Sequence, residues 1–262
     1  MTFDFRFEDN KEIGLAVCCD WHVGSKQCDM DAVLSWVETI RENNWKVLLG
    51  GDLLEMSLKG SVGDVYDQQL SPLEQIDRVV KILQPIAPNI LHSVMGNHEY
   101  RPVKEVGIDP SLLIARELGI GYSPNQAVGR IQVGEAHWKV GLTHGAGGGM
   151  LIGSKLNTAT KLSKVYPNLD LYVSGHTHTD VAASDTVKDI SLNKGKVTEV
   201  ALVRRFSGCG SLLSYEDSYA EAKLMPPASK AQVVHFLGDR VRSNKGGVAS
   251  QHKEYRREVY HY

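Results

Sequence analysis

The chain has 262 residues, 42% hydrophobic and 23% charged, with 29 Lys plus Arg against 31 Asp plus Glu and a formal charge of −2. That length supports a well-buried core, and the near-neutral balance argues against a strongly basic nucleic-acid platform, though not against a local basic patch. No apolar run approaches the ~20 residues that span a bilayer. Met1 to Asn10 alternates phenylalanine with charged residues and lacks a signal peptide's apolar stretch, so a cytoplasmic protein with no membrane partner is expected. From there the chain alternates strand-like and helical segments. Ile13 to Cys19 is a compact apolar run, followed by a helix with Ala32, Val33, Trp36, Val37 and Ile40 on one face. Trp45 to Leu49 is the next strand, ending in Gly50-Gly51-Asp52. Ser71-Pro72, a cap followed by proline, opens a second helix whose buried side is expected to carry Leu73, Ile76, Val79, Val80 and Leu83. Asn89 to Met95 reads as a third strand, and Asp109-Pro110 opens a shorter helix through Leu118, closed by Gly119. This β-α-β-α-β order implies parallel strands with helices packed against them.

The texture changes at Arg130. Arg130–Val133 and His137–Leu142 form an expected hairpin around Gly134-Glu135. A helical stretch near Ser154 to Lys164 leads to a strand at Leu169 to Val173. Beyond it lie short β-like runs at Val197–Phe206, Gln232–Leu237 and Glu258–Tyr260, with a polar, Gly-rich loop expected from Ser243 to Gln251. With no internal repeat and no evident linker, residues 1–262 read as one α/β domain. Residues 179–262 would complete its second sheet and add a C-terminal extension. Cys18, Cys19, Cys28 and Cys209 form no C-x-x-C pair, so neither a structural zinc site nor a disulfide framework is expected.

Five strand ends carry residues of metal-ligand type: Asp20-Trp21-His22, Gly51-Asp52, Gly96-Asn97-His98-Glu99, Thr143-His144-Gly145 and Gly175-His176-Thr177-His178. Ligand sites gather at the carboxyl ends of strands in α/β sheets. Asp20 and His22, two apart, would point to the same side of an extended segment, as would His176 and His178. The all-oxygen-and-nitrogen donor set suits Zn, Mn, Fe, Co or Ni. Seven donors suit two ions better than one. A lone D-x-H or H-x-H is ordinarily a surface feature; five such motifs at successive strand ends are not expected by chance.

The order D-x-H, G-D, G-N-H-E, H-G, G-H-x-H resembles the calcineurin-like metallophosphoesterase family, from Ile13 to His178. The resemblance implies an α/β fold, a two-sheet β-sandwich flanked by helices, with the site along one edge. It implies that Asp20, His22 and His178 hold one divalent transition-metal ion, that Asn97, His144 and His176 hold a second, and that Asp52 bridges them. A hydroxide between the ions would then attack the phosphoester. His98 would stabilise or protonate the leaving oxygen, and Glu55 is the expected partner that orients it. Arg101 is close enough in sequence to touch a phosphate, with an ordinary surface arginine as the alternative. Tyr66 and Tyr100 are stacking groups or simple packing residues, and Glu99 reads as structural. Gly51-Asp52-Leu53-Leu54-Glu55-Met56-Ser57 lacks the arginine of the G-D-x-x-D-R-G protein phosphatases and the tyrosine ligand of purple acid phosphatases. The length is short of the capping domain expected of the large repair nucleases. A compact phosphodiesterase acting on nucleotides or small diesters is the leading expectation. A DNA or RNA nuclease and a non-catalytic scaffold are the alternatives. The stretch from Lys59-Gly60-Ser61-Val62-Gly63-Asp64 to Ser71-Pro72 resembles phage-encoded and bacterial members.

Overall fold

A computed structural model describes residues 2–59, 68–147, 149, 151–193, 196–214, 231–245 and 248–262. Tyr66 and residues 60–64 of the phage-like stretch lie outside the described residues. Two six-stranded mixed sheets face each other. The first runs through β2 (Glu12–Cys18), β3 (Lys46–Leu49), β4 (Ile90–Val94) and β5 (Tyr122–Ser123), all parallel, as the alternating pattern requires. The second contains β1 (Thr2–Phe7), β6 (Gln126–Val133), β7 (Ala136–Thr143) and β8 (Leu171–Ser174), and β6 and β7 form the expected hairpin.

β2, β3 and β4 are buried on both sides, so their sequences are almost continuously apolar. Along β2, Leu15 and Val17 join Leu48, Leu91, Trp138, Val140 and Val173 between the sheets. Ala16 and Cys18 point the other way, toward α1 (Met30–Glu42). That helix starts where the Asp29 side chain accepts from the Ala32 amide, and it buries all five residues of its expected apolar face. The second sheet's outer face is covered by α6 (Asn157–Val165), whose Ala159 and Leu162 pack with Tyr172 and Phe206.

Several expectations are corrected. The helix α2 (Pro72–Leu83) has the capping box Ser71–Glu74, but its buried face is rotated. Leu73 is 66% exposed, and Gln75 is fully buried in its place. The reason is polar: the Gln75 amide accepts from the Met56 N–H at 3.0 Å and donates to the Leu70 carbonyl at 2.9 Å, tying the helix to the loop after β3. The helix expected near Ser154–Lys164 breaks at Leu156 into α5 (Ile152–Lys155) and α6. A helix not anticipated, α3 (Tyr100–Val106), precedes α4 (Pro110–Leu118). The C-terminal third is more regular than its sequence suggests. It holds β9 (Val181–Asn193), β10 (Lys196–Gly208), β11 (Ala231–Lys245) and β12 (Val248–Tyr260). Ser243–Lys245 and Val248–Gln251 are thus paired strand ends rather than loop, with Ser243 opposite Ser250. These strands join both sheets, β10 beside β8 and β11 beside β2. The four cysteines are free.

Candidate metal centre

The five motif-bearing loops follow β2, β3 and β4 of one sheet and β7 and β8 of the other, so the site straddles the edge where the two sheets meet. The first two loops are zipped together by main-chain bonds from Asp20 N to Gly51 O (3.0 Å), His22 N to Asp52 O (3.1 Å) and Val23 N to Leu53 O (2.8 Å). Asp20, His22, Asp52, His176 and His178 all have φ between 50° and 70°, the left-handed region. The D-x-H and H-x-H pairs therefore do not converge along extended backbone; left-handed turns aim them. Such a conformation costs roughly 1–2 kcal/mol for an ordinary L-residue, and clustered strain of this kind marks functional loops. Gly96 lets the strands' loops close up, because a Cβ there would lie 2.1 Å from Asp52 Oδ1.

Two groups of donors result. In the first, His22 Nε2 and His178 Nε2 face each other at 3.2 Å, and His178 Nε2 lies 3.4 Å from Asp20 Oδ1. The Nδ1 of His22 donates to Glu55 Oε2 at 3.1 Å, which leaves the Nε2 lone pair turned inward. Burial lowers the His22 pKa, with the neighbouring His98 acting in the same direction. In the second group, His144 Nε2 lies 3.1 Å from both Asp52 Oδ2 and Asn97 Oδ1, and His176 Nδ1 is 2.6 Å from Asn97 Oδ1. His144 is oriented like His22, its Nδ1 donating to the Gly50 carbonyl at 2.8 Å. Donor atoms of Asp20, His22 and His178, of His22, Asp52 and His98, and of Asp52, His144 and His176 each fall within 4.8 Å of one another. Asp52 belongs to two of these three sets and so stands between the groups.

The electrostatics of this pocket favour positive charge. Burial would lower His144, but Asp52, then Asp20 and Glu99, push its pKa up to about 10. Burial would likewise raise Asp52, yet His144 and His98 hold it well below the usual carboxylate range. The carboxylates of Asp52, Asp20 and Glu99 thus draw positive charge to the imidazole of His144. Oxygen and nitrogen donors converging on such a spot fit divalent cations.

His98 sits beside the donors on different terms. Its main-chain N–H donates to Asp52 Oδ1 at 2.8 Å, and its Nδ1 donates to the Glu55 carbonyl at 2.7 Å. The Nε2 accepts from Arg101 at 2.9 Å and lies 3.9 Å from Asp52 Oδ2. Burial lowers its pKa, but Asp52 and Glu55 outweigh that and raise it. The Glu55 carboxylate is closer to His22 than to His98, whose Nδ1 is 3.5 Å away. Burial would raise Glu55, but its bonds to His22 and His98 hold it far below the ordinary range. Arg101 donates to the Glu55 carbonyl at 2.8 Å and to His98, so it is engaged by the site's own loops. His92, inside β4, bonds Ser123, and His235 pairs with Glu12; neither joins the donor groups.

Glu99 is the residue whose part is larger than its sequence suggests. It is buried and accepts from three main-chain amides: Asp52 and Gly96 at 2.9 Å and Leu54 at 3.0 Å. One carboxylate thus welds the loop after β3 to the loop after β4. Burial and the charge of Asp52 raise its pKa to about 7, against the pull of those amides. Each buried donor left unmade costs about 1–3 kcal/mol. Glu99→Ala is therefore expected to destabilise the fold by about 3 kcal/mol or more. Equilibrium denaturation is the check, and a change below about 1 kcal/mol would show that water replaces the carboxylate.

Residues 14–180 match the family model of the calcineurin-like phosphoesterases. With nearly two-thirds of its length matched and the fold and site in agreement, the chain belongs to this family of metal-dependent phosphoesterases. The comparison with curated proteins gives no match. Among the described residues, no helix is long and apolar enough to cross a membrane.

Proposed function

We propose that the protein is a binuclear metal-dependent phosphodiesterase. The observation that carries this reading is the chain of donor sets in which Asp52 joins His144 and His176 on one side and His22 on the other, with His22 in turn joining Asp20 and His178. Asp20, His22 and His178 would hold one ion, Asn97, His144 and His176 the other, and Asp52 both. Two divalent ions of the Mn, Zn, Fe, Ni or Co type supply Lewis acidity and water activation at a phosphoryl group. The protein's own part is positioning. Glu55 and the Gly50 carbonyl fix the tautomers of His22 and His144, and Glu99 holds the loops that carry Asp52 and Asn97. His98, with its Nδ1 committed to the Glu55 carbonyl, presents Nε2 to a leaving oxygen once Arg101 yields that contact.

Charge supports a diester. Arg101 is hydrogen-bonded into this network and shared with Glu55 and His98. That suits a substrate with one negative charge better than a monoester with two. The missing arginine of the protein-phosphatase pattern points the same way. Metal-stripped protein, reconstituted separately with Mn, Zn, Ni, Co and Fe, is expected to cleave a generic diester with at least about tenfold higher kcat/KM than a monoester, more than 1 kcal/mol of transition-state discrimination. A preference of that size for phosphoserine, phosphotyrosine or a simple monoester would overturn the reading.

A further inference from the structure

Beside Asn97 and His144 a cleft of about 480 Å³ opens on the flank of the second donor group. It is bounded by Tyr100 at the start of α3, by Asn125 and Gln126 where β6 begins, and by Lys161 on α6. Pro124 and Leu162 add apolar wall. The volume lies within the ~300–1,000 Å³ of small-molecule sites, too little for a duplex and enough for one nucleotide.

The composition of the rim is more informative than its size. Tyr100 is 48% exposed although it lies only three residues from Asn97. The side chains of Tyr100, Asn125, Gln126 and Lys161 have no hydrogen-bond or ion-pair partner among the described residues. This contrasts with the adjoining centre, where His98, Arg101, Glu55 and Glu99 are all engaged. An aromatic face, two amides that each carry a donor and an acceptor, and one ammonium are thus left unspent around a cavity touching the donor residues. A planar heterocycle with a donor–acceptor edge, attached to phosphate, uses all four: the ring stacks on tyrosine, amides read its edge, and lysine meets an anionic oxygen.

We infer that this cleft is a nucleoside subsite, and that the protein's diester substrates are nucleotides or single-stranded nucleic acid with one base seated on Tyr100. The inference rests on the phosphodiesterase reading and narrows it. Two diesters sharing a p-nitrophenolate leaving group test it on the manganese-loaded protein, one bearing a methyl group and the other a 5′-thymidyl group. The thymidyl ester is expected to have about tenfold or higher kcat/KM, mainly through KM, since an aromatic stack is worth about that much. Tyr100→Ala should reduce the thymidyl-to-methyl ratio by about 5- to 100-fold, and Tyr100→Phe should keep it. Lys161→Ala should lower kcat/KM for both diesters, which share the anionic phosphate, with a loss that fades at high salt. Calorimetric titration of the metal-free protein with thymidine 5′-monophosphate supplies a readout independent of turnover, and Tyr100→Ala should weaken that binding. A ratio near one, or a ratio that Tyr100→Ala leaves unchanged, overturns the subsite while the phosphodiesterase reading stands. If both diesters are inert and a monoester is cleaved, the phosphodiesterase reading falls. The titration then decides the cleft alone, and equal binding by the wild type and Tyr100→Ala overturns it.

Discussion

Asp52→Asn is expected to strip both metal ions from the protein and to lower turnover by several orders of magnitude while the two sheets remain folded. Asp52 is the only residue in both the His22–His98 and the His144–His176 donor sets, so one lost charge is felt by two cations at once. The fold should survive because asparagine is nearly the same shape and its oxygen can still accept from the His98 N–H, 2.8 Å away in the wild type. His144 would lose the carboxylate 3.1 Å from its Nε2 that leads the rise in its pKa, so its proton should leave more readily. Metal content by elemental analysis, circular dichroism and kcat/KM on a diester together check this. Two ions retained with near-normal turnover would remove Asp52 from its bridging role.

His98→Ala should separate chemistry from metal binding. Both ring nitrogens of His98 are already engaged, by the Glu55 carbonyl and by Arg101, so its loss should leave metal occupancy intact. If it protonates the leaving oxygen, kcat should fall by about 10²–10⁴-fold for an alkoxide leaving group and much less for a nitrophenolate. Loss of one ion would make His98 a ligand. Equal losses for both leaving groups would assign it to positioning the phosphate. Glu55→Gln gives a different signature, because the carboxylate is closer to His22 than to His98. Its expected effect is a loss of about 10- to 100-fold in affinity for the ion that Asp20, His22 and His178 are proposed to hold, the usual cost of removing an outer partner of a ligating histidine. A milder kcat effect through His98 should accompany it.

What the sequence made legible follows from where local patterning decides structure. The stripe on α1 is visible because every apolar residue of its inner face is buried and its cap is a simple aspartate. The strand ends are visible because each is an apolar run that stops at glycine or at a ligand-type residue. On α2, apolar spacing misleads, since the loop after β3 needs the Gln75 amide more than it needs Leu73. Glu55 lies three residues after Asp52 in any reading, yet only the folded loops show that it faces two imidazoles. Glu99 is similar, because its partners Asp52 and Leu54 are 47 and 45 residues away. Strand order is a matter of long-range pairing, so the insertion of β10 beside β8 and β11 beside β2 leaves no periodic trace. β9 carries little sequence signal, because Val181–Asn193 alternates weakly, with mostly exposed residues up to Ile190.

The meeting of two sheets at the site also sets the order of events during synthesis. His22 and His178 touch across 156 residues, and His144 reaches Gly50 across 94. A ribosome-bound chain that has exposed β2, β3 and β4 with their loops carries Asp20, His22, Asp52 and Asn97 but none of His144, His176 and His178, and can close neither donor group. Contacts this distant carry a large loop-closure cost and form late. An ion arriving here cannot template the fold as zinc templates a small finger; it can only clamp a sandwich already assembled. Its contribution then follows mass action, growing with the free concentration of the ion. Cells poor in that metal would accumulate a protein that is complete in outline, idle, and easier to pull apart at the edge where its two halves meet.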